Sequence, residues 1–558
     1  MLVLGACKGG ASGGTTTANA DAPTAAAIAA ISGDSLLAHV KDISADSMEG
    51  RGPGTPGEVK TVAYLTRQFQ ALGLQPGNPD GSWTQKVDLI GYTSHPTFTL
   101  TARGTPIPLR YPDDFVANSR HDRPRTTVAP SDIVFVGYGV VAPEYGWDDY
   151  KGVDVKGKTI LVLVNDPQIR VPNAPAGDTT IATLDTAMFR GRAMTYYGRW
   201  TYKYEEATRQ GAAAVIIVHE TGPAGYPYDV VRGSYSAEQF DVPSPDAEQR
   251  VAVEGWIQLD KAKALLAAAG QSFDSLKAAA TRRDFKPVPL AAKAAFDVKI
   301  DVRRIQSANV VAKLEGSSKK DEYVIYTAHW DHLGRDTTAQ GDQIFNGALD
   351  NATGTAGLLE IARAFTAQTP APSRSILFIA LTGEEKSLLG AKFYASHPLY
   401  PLNKTAADIN MDELNPWGRT SDLTVIGLGN STLDDVLQNV LASEHRVIRP
   451  DAEPQKGFYY RSDHFEFAKQ GVPALYVEMG IDQIGKPNGT GLARKQAFDE
   501  TDYHKPSDDV KPDWDLAGAV DDLRALFRVG YVVSQTTALP QWKAGTEFRA
   551  KRDSSLAR

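Results

Sequence analysis

The residues able to do chemistry in this sequence are two histidines and a set of carboxylates. His329 and Asp331 are followed by Asp350-Asn351, then by the pair Glu384-Glu385, then by Asp412 and Tyr503-His504. Imidazole and carboxylate without thiolate form a normal donor set for catalytic zinc. A carboxylate can bridge two cations about 3.5–4 Å apart, and a bridged pair can hold one hydroxide. Forming hydroxide needs a base, and a glutamate adjacent to a ligand glutamate can supply it. Asp331 lies two residues past His329 on the same extended face, where it can fix the imidazole's orientation from behind. Singly, each residue has a plainer reading, since a strand-end aspartate is more often a helix cap and paired glutamates are usually a solvated face. The set gains meaning from the elements that must position it.

Those elements alternate. Residues 323–327, 376–381, 409–411 and 474–477 read as strands, while Leu358, Ile361, Ala362 and Phe365 give the spacing of a helix face. The pattern predicts an α/β fold, a mostly parallel mixed sheet with helices on both faces. Ligands in such folds bind beyond the carboxyl ends of the strands, and the polar residues follow the strands as that rule requires. Nearer the amino terminus, residues 8–30 are small and polar and read as a flexible linker. Leu36, Leu37 and Val40 open a helix, Glu49 to Gly57 form a loop, and a further helix follows with Ala63, Phe69 and Leu72 inward. Between these parts, residues 133–139, 159–164 and 211–218 read as strands, with a helix around Tyr202 to Ala207.

A chain of 558 residues exceeds one ordinary core. The expected organisation is a signal remnant and linker at 1–31, a catalytic domain at 32–127 and 293–558, and an insert at 128–292. The net charge of −8 with no basic run gives no support for nucleic-acid binding. No apolar stretch reaches the roughly 18 residues of a transmembrane helix. The single cysteine, Cys7, excludes an intramolecular disulfide framework. Leu4-Gly5-Ala6-Cys7 resembles a bacterial lipobox, so a lipid anchor at Cys7 and export to the periplasm, the outer membrane or the medium are expected.

His329-Trp330-Asp331, Gly347-Ala348-Leu349-Asp350-Asn351, Thr382-Gly383-Glu384-Glu385, Asn410-Met411-Asp412 and Tyr503-His504-Lys505-Pro506-Ser507-Asp508 resemble, in order, the motifs of a zinc exopeptidase family. That family includes leucine aminopeptidases, glutamate carboxypeptidase and the transferrin receptor ectodomain. The loop Glu49-Gly50-Arg51-Gly52 resembles its amino-terminal signature, and residues 128–292 resemble a small β-rich protease-associated domain. The resemblance implies two Zn2+ ions, with Co2+ or Mn2+ as alternatives, and peptide substrates. Asp350 would bridge the metals, His329 and Asp412 would complete one site, and Glu385 and His504 the other. Glu384 would be the general base and Tyr503 a donor to the oxyanion, while Ser462-Asp463-His464 would line the cleft. His332, Asp336, His397, His445 and Glu413 receive surface or packing duty. An aminopeptidase is the favoured activity. The alternatives are a carboxypeptidase, for which Arg461 is the nearby cation, a glutaminyl cyclase, or a catalytically dead receptor. A serine hydrolase is weaker still, because the lone G-x-S-x-G string around Ser12 falls in the linker, with no strand before it or helix after it.

Overall fold

Beyond Leu314 the stretches 323–328 and 376–381 are apolar almost throughout, as suits a sheet covered on both faces. The computed structural model describes residues 22–171 and 183–557, and in it they form such a sheet. Along the chain the strands that matter are β1 (Thr84–Ala102), β2 (Arg125–Phe135), β3 (Thr159–Leu163), β4 (Ala214–His219), β5 (Val253–Gln258) and β6 (Val288–Leu314). They continue with β7 (Lys319–His329), β8 (Arg374–Leu381), β9 (Thr405–Met411), β10 (Asp422–Ile426) and β11 (Ala474–Glu478).

The catalytic sheet runs β10-β11-β9-β7-β8-β6. Its middle strands β11, β9, β7 and β8 are parallel, and β10 and β6 flank them antiparallel. Alternate side chains point to opposite faces. Val324, Tyr326, Ile376 and Phe378 pack under helices α1 (Gly33–Ile43), α2 (Pro56–Ala71), α4 (Gly354–Ala367) and α5 (Ala517–Gln535). Val311, Ile325, Leu377 and Ile379 pack on the other face against Tyr394 and Phe467. All four parallel strands therefore end on one edge, and the predicted site residues lie there.

The insert is a second sheet, β2-β3-β4-β5, parallel throughout, with residues 115–118 antiparallel at its edge. It carries its own helices, among them α3 (Trp200–Arg209), and buries a separate core on each face. β1 and β6 pair without interruption from Thr84–Val310 to Ala102–Ala292. The amino-terminal reach of β6 also pairs with β2 and its end with β8, so one ribbon belongs to both sheets.

The boundaries differ from those expected at 127/128 and 292/293. Ile90, Tyr92, Leu100, Phe115 and Ile300 all lie in the insert's core, because the long ribbon carries the chain into the insert well before residue 128. The linker also ends earlier than residue 31. Residues Ala25–Ala30 form a helix capped by the Thr24 hydroxyl, and Ala27 and Ile31 are fully buried in the catalytic core. Helix α2 turns Thr61, Tyr64, Leu65 and Phe69 inward with Leu72 packed against the core, so Phe69 and Leu72 face as expected while Ala63 is exposed. Cys7 lies outside the described residues. No helix among the described residues is long and apolar enough to cross a membrane.

Candidate metal centre

His329 closes β7, Glu384 and Glu385 follow β8, and Asp412 follows β9. Asp350 sits in an irregular turn that leads into α4. That turn needs Gly347, whose φ is 55°, since a Cβ there would lie 2.3 Å from the Asp350 carbonyl oxygen and 2.5 Å from the His332 ring. The Asp508 carboxylate fixes the same turn by accepting from the backbone N–H of Leu349 at 2.9 Å and of Asp350 at 3.0 Å. Arg51 locks it from beneath. Its buried guanidinium donates to the carbonyls of Ile43, Trp330, Asn346 and Gly347.

These elements bring the predicted residues together. His329 Nε2 is 3.3 Å from Asp350 Oδ1 and 3.3 Å from Asp412 Oδ1. His504 Nε2 is 3.1 Å from Asp350 Oδ2 and 3.0 Å from Glu385 Oε2. Asp350 thus faces one histidine with each oxygen. Glu384 Oε2 stands 3.9 Å from His329 Nε2. Tyr503 is 40% exposed and stacks on His504 with ring centroids 3.9 Å apart.

Asp331 acts differently from the sequence reading. Its backbone carbonyl, 3.1 Å from His329 Nδ1, is the group placed to hold the imidazole. Its carboxylate is 3.9 Å from that nitrogen and instead accepts from the Glu384 N–H at 3.1 Å. A proton on Nδ1 leaves Nε2 free to face Asp350 and Asp412. Ser462 donates to Asp412 Oδ2 at 2.8 Å and accepts from Asn410 at 2.7 Å. Asp463 and His464 are fully buried beneath the site rather than along the cleft.

His332 has more than a packing duty. It is completely buried, with Nδ1 2.6 Å from Glu385 Oε1 and 3.9 Å from Asp350 Oδ2. Its only sequence signal is position, one residue beyond His329-Trp330-Asp331 at the same strand end.

The donors fit divalent cations. Ligand atoms of His329, Asp350 and Asp412 lie within 4.8 Å of one another, and so do those of His332, Asp350 and Glu385. Among the described residues no lysine or arginine pairs with Asp350, Glu384, Glu385 or Asp412. His332 Nε2 is buried without a hydrogen-bond partner. The electrostatics agree. Burial works against a charged His329, yet the carboxylates of Asp412 and Glu384 outweigh it and raise its pKa well above the usual value. Burial is likewise overcome at His504, which Glu385 and Asp350 raise to about 11. Glu384 is pushed well above the carboxylate range, first by burial, with Glu385 and Asp412 adding and His329 opposing. Cations entering such a cluster would displace those protons.

A cleft of about 660 Å³ opens at Glu384, walled by the catalytic domain on one side and by α3 and its neighbours in the insert on the other.

Residues 309–527 match the model of peptidase family M28, a stretch that contains every residue of the cluster. Over 109 residues the chain is 38% identical to a probable zinc metalloprotease of Pyrenophora teres f. teres (strain 0-1), covering 19% of this chain and 23% of the relative. Over 128 residues it is 34% identical to the aminopeptidase NAALADL1 of Mus musculus, covering 21% and 16%. The chain thus spans less than a quarter of the length of either relative. Among solved structures, an aminopeptidase from Aneurinibacillus sp. strain AM-1 is similar over 91% of this chain and 94% of its own, at 18% identity and a TM-score of 0.44.

Proposed function

We propose that this protein is a metal-dependent exopeptidase, an aminopeptidase that removes amino-terminal residues from short peptides. One observation carries the reading: two imidazole–carboxylate clusters share Asp350 at the end of a cleft, with an additional carboxylate, Glu384, beside them. His329, Asp350 and Asp412 would hold one zinc-class ion, and Asp350, Glu385 and His504 a second. Ions bound there polarise a carbonyl and acidify water. Glu384 accepts the proton released by the attacking water and passes it to the leaving amine, a task its position beside His329 at the cleft suits. Tyr503, at the mouth of the site, donates to the oxygen on which negative charge develops. The backbone carbonyl of Asp331 keeps His329 in the required tautomer.

The test is metal analysis of the purified protein, paired with a panel of aminoacyl and carboxy-terminal reporter peptides. About two zinc-class ions per chain are expected, with aminoacyl cleavage lost on chelation and restored by Zn2+, Co2+ or Mn2+. Cleavage that survives complete metal removal would overturn the reading. Carboxypeptidase activity is the second reading, favoured by Arg461 in the wall of the cleft. Blocking the peptide's amino terminus separates the two, because only a carboxypeptidase still cuts.

A further inference from the structure

The cleft beside Glu384 is lined by several cations, and most are already neutralised. Arg120, Arg250 and Lys392 converge on the buried carboxylate of Asp241. Lys469 lies between Glu205 and Glu466. Two are different. Arg199, at the start of α3, and Arg461, on the catalytic side, form no ion pair with any carboxylate among the described residues, although both line the cleft. Each has its Nε buried without a hydrogen-bond partner. Arg461 donates through one Nη to the Lys456 carbonyl at 2.7 Å and lies over the rings of Tyr226 and Phe458, at 5.7 and 5.2 Å. No polar side chain of the described residues hydrogen-bonds the Arg199 guanidinium.

Two guanidiniums held close in a protein wall without a counter-ion are unfavourable to keep. Burial, and after it the neighbouring Arg461 charge, lowers the Arg199 pKa to about 10. Such a pair persists where an anion arrives to relieve it, and a guanidinium fork matches a carboxylate in two parallel hydrogen bonds. We propose that Arg199 and Arg461 form a subsite for a carboxylate of the peptide substrate, drawn from both domains and opening into the same cleft as Glu384. The inference rests on the exopeptidase reading and narrows it. The enzyme would select peptides that carry a negative charge close to the scissile bond, either the α-carboxylate of a very short peptide or an acidic side chain.

The experiment uses the metal-loaded full chain and dipeptide analogues whose scissile amide is replaced by CH2–NH. Calorimetry compares each analogue as free acid and as carboxamide. The free acid should bind at least tenfold more tightly, and Arg199→Gln and Arg461→Gln should each shrink that ratio below threefold. Lysine at either position keeps the charge but loses the fork, so it should give an intermediate ratio. Carboxamides bearing Glu or Gln at the second residue identify the source. A Glu carboxamide that matches the free acid assigns the subsite to a side chain, and one that binds like the Gln carboxamide assigns it to the chain terminus. The melting temperature of both Gln variants should hold or rise, whereas a purely structural role would lower it. Equal binding of acid and carboxamide by the wild type, or an unchanged ratio in the variants, overturns the subsite. Cleavage of unmodified dipeptides, measured alongside, tests the exopeptidase reading separately.

Discussion

Glu384 and Glu385 are neighbours in sequence with opposite surroundings. Glu385 is turned into the cluster between His332 and His504, while Glu384 lines the cleft beside His329. Glu384→Gln should therefore retain its metal and fold while losing roughly 10²–10⁴-fold in turnover, the range for loss of a general acid–base. Glu385→Gln should lose metal, as metal analysis would show. The reverse pattern would exchange the two roles. His464 offers a prediction about pH. Its buried ring lies between Tyr459 and Tyr476, with centroids 4.7 Å away on each side, and burial drops its pKa from 6.5 to about 3. Between those values the unfolded chain binds a proton that the folded chain refuses. The stability present above pH 6.5 is thus lost as pH falls toward 3, by about 2 kcal/mol between pH 7 and pH 5. Denaturant titrations of His464→Phe should show a flatter profile over that interval, and an unchanged slope would refute the assignment. Much at this scale was legible, because carboxylates and histidines after apolar runs stand out. His332 was not, since nothing in a sequence separates a strand-end histidine aimed inward from one aimed at solvent.

At the level of elements, the site depends on a guanidinium that supplies no chemistry. Arg51 reaches from a loop near the amino terminus and ties the end of β7 to the Asp350 turn through the buried carbonyls of Trp330, Asn346 and Gly347, the last of which also accepts from the Ala352 N–H. Arg51→Met should destabilise the protein by more than about 3 kcal/mol, because each abandoned buried acceptor costs roughly 1–3 kcal/mol. It should also weaken metal retention against a chelator. A variant with wild-type melting and metal content would show that the turn holds itself. Strands were the most readable elements, since runs such as 376–381 are apolar throughout and their type follows from length and branching. Short helices were not. The Ala25–Ala30 helix has the composition of a tether, and its order comes from Ala27 and Ile31 entering the core rather than from any local preference. On α2, Phe69 and Leu72 pack inward as expected, whereas the polar-tipped Thr61 and Tyr64 take the inner place given to Ala63.

For the molecule as a whole, the fold class could be read but the domain boundary could not, because β1 and β6 look like ordinary strands while serving two sheets. This has a practical consequence for dissection. Removing residues 128–292 would strip the partners from Ile90, Tyr92, Leu100 and Phe115, and the product should aggregate or bind a hydrophobic dye. Removing residues 91–303 and joining Ile90 to Arg304, which are paired across the ribbon, by a short turn should leave the catalytic sheet and its metals in place. That variant lacks one wall of the cleft, so its preference for short peptides over long ones should weaken. A folded, metal-bound variant with an unchanged length preference would exclude any gating by the insert.

The continuous β1–β6 ribbon also dictates an order of assembly. Thr84 finds its partner only when Val310 has been synthesised, and every residue of the metal cluster is translated later still. The insert, complete once β6 emerges, can therefore close before His329 has emerged, and β8 is the strand that then docks on the β6 edge already formed. A nascent chain arrested soon after Leu314 has left the ribosome should accordingly protect the insert from protease while the segment before Thr84 is still cut. Protection of both at that length would contradict this order.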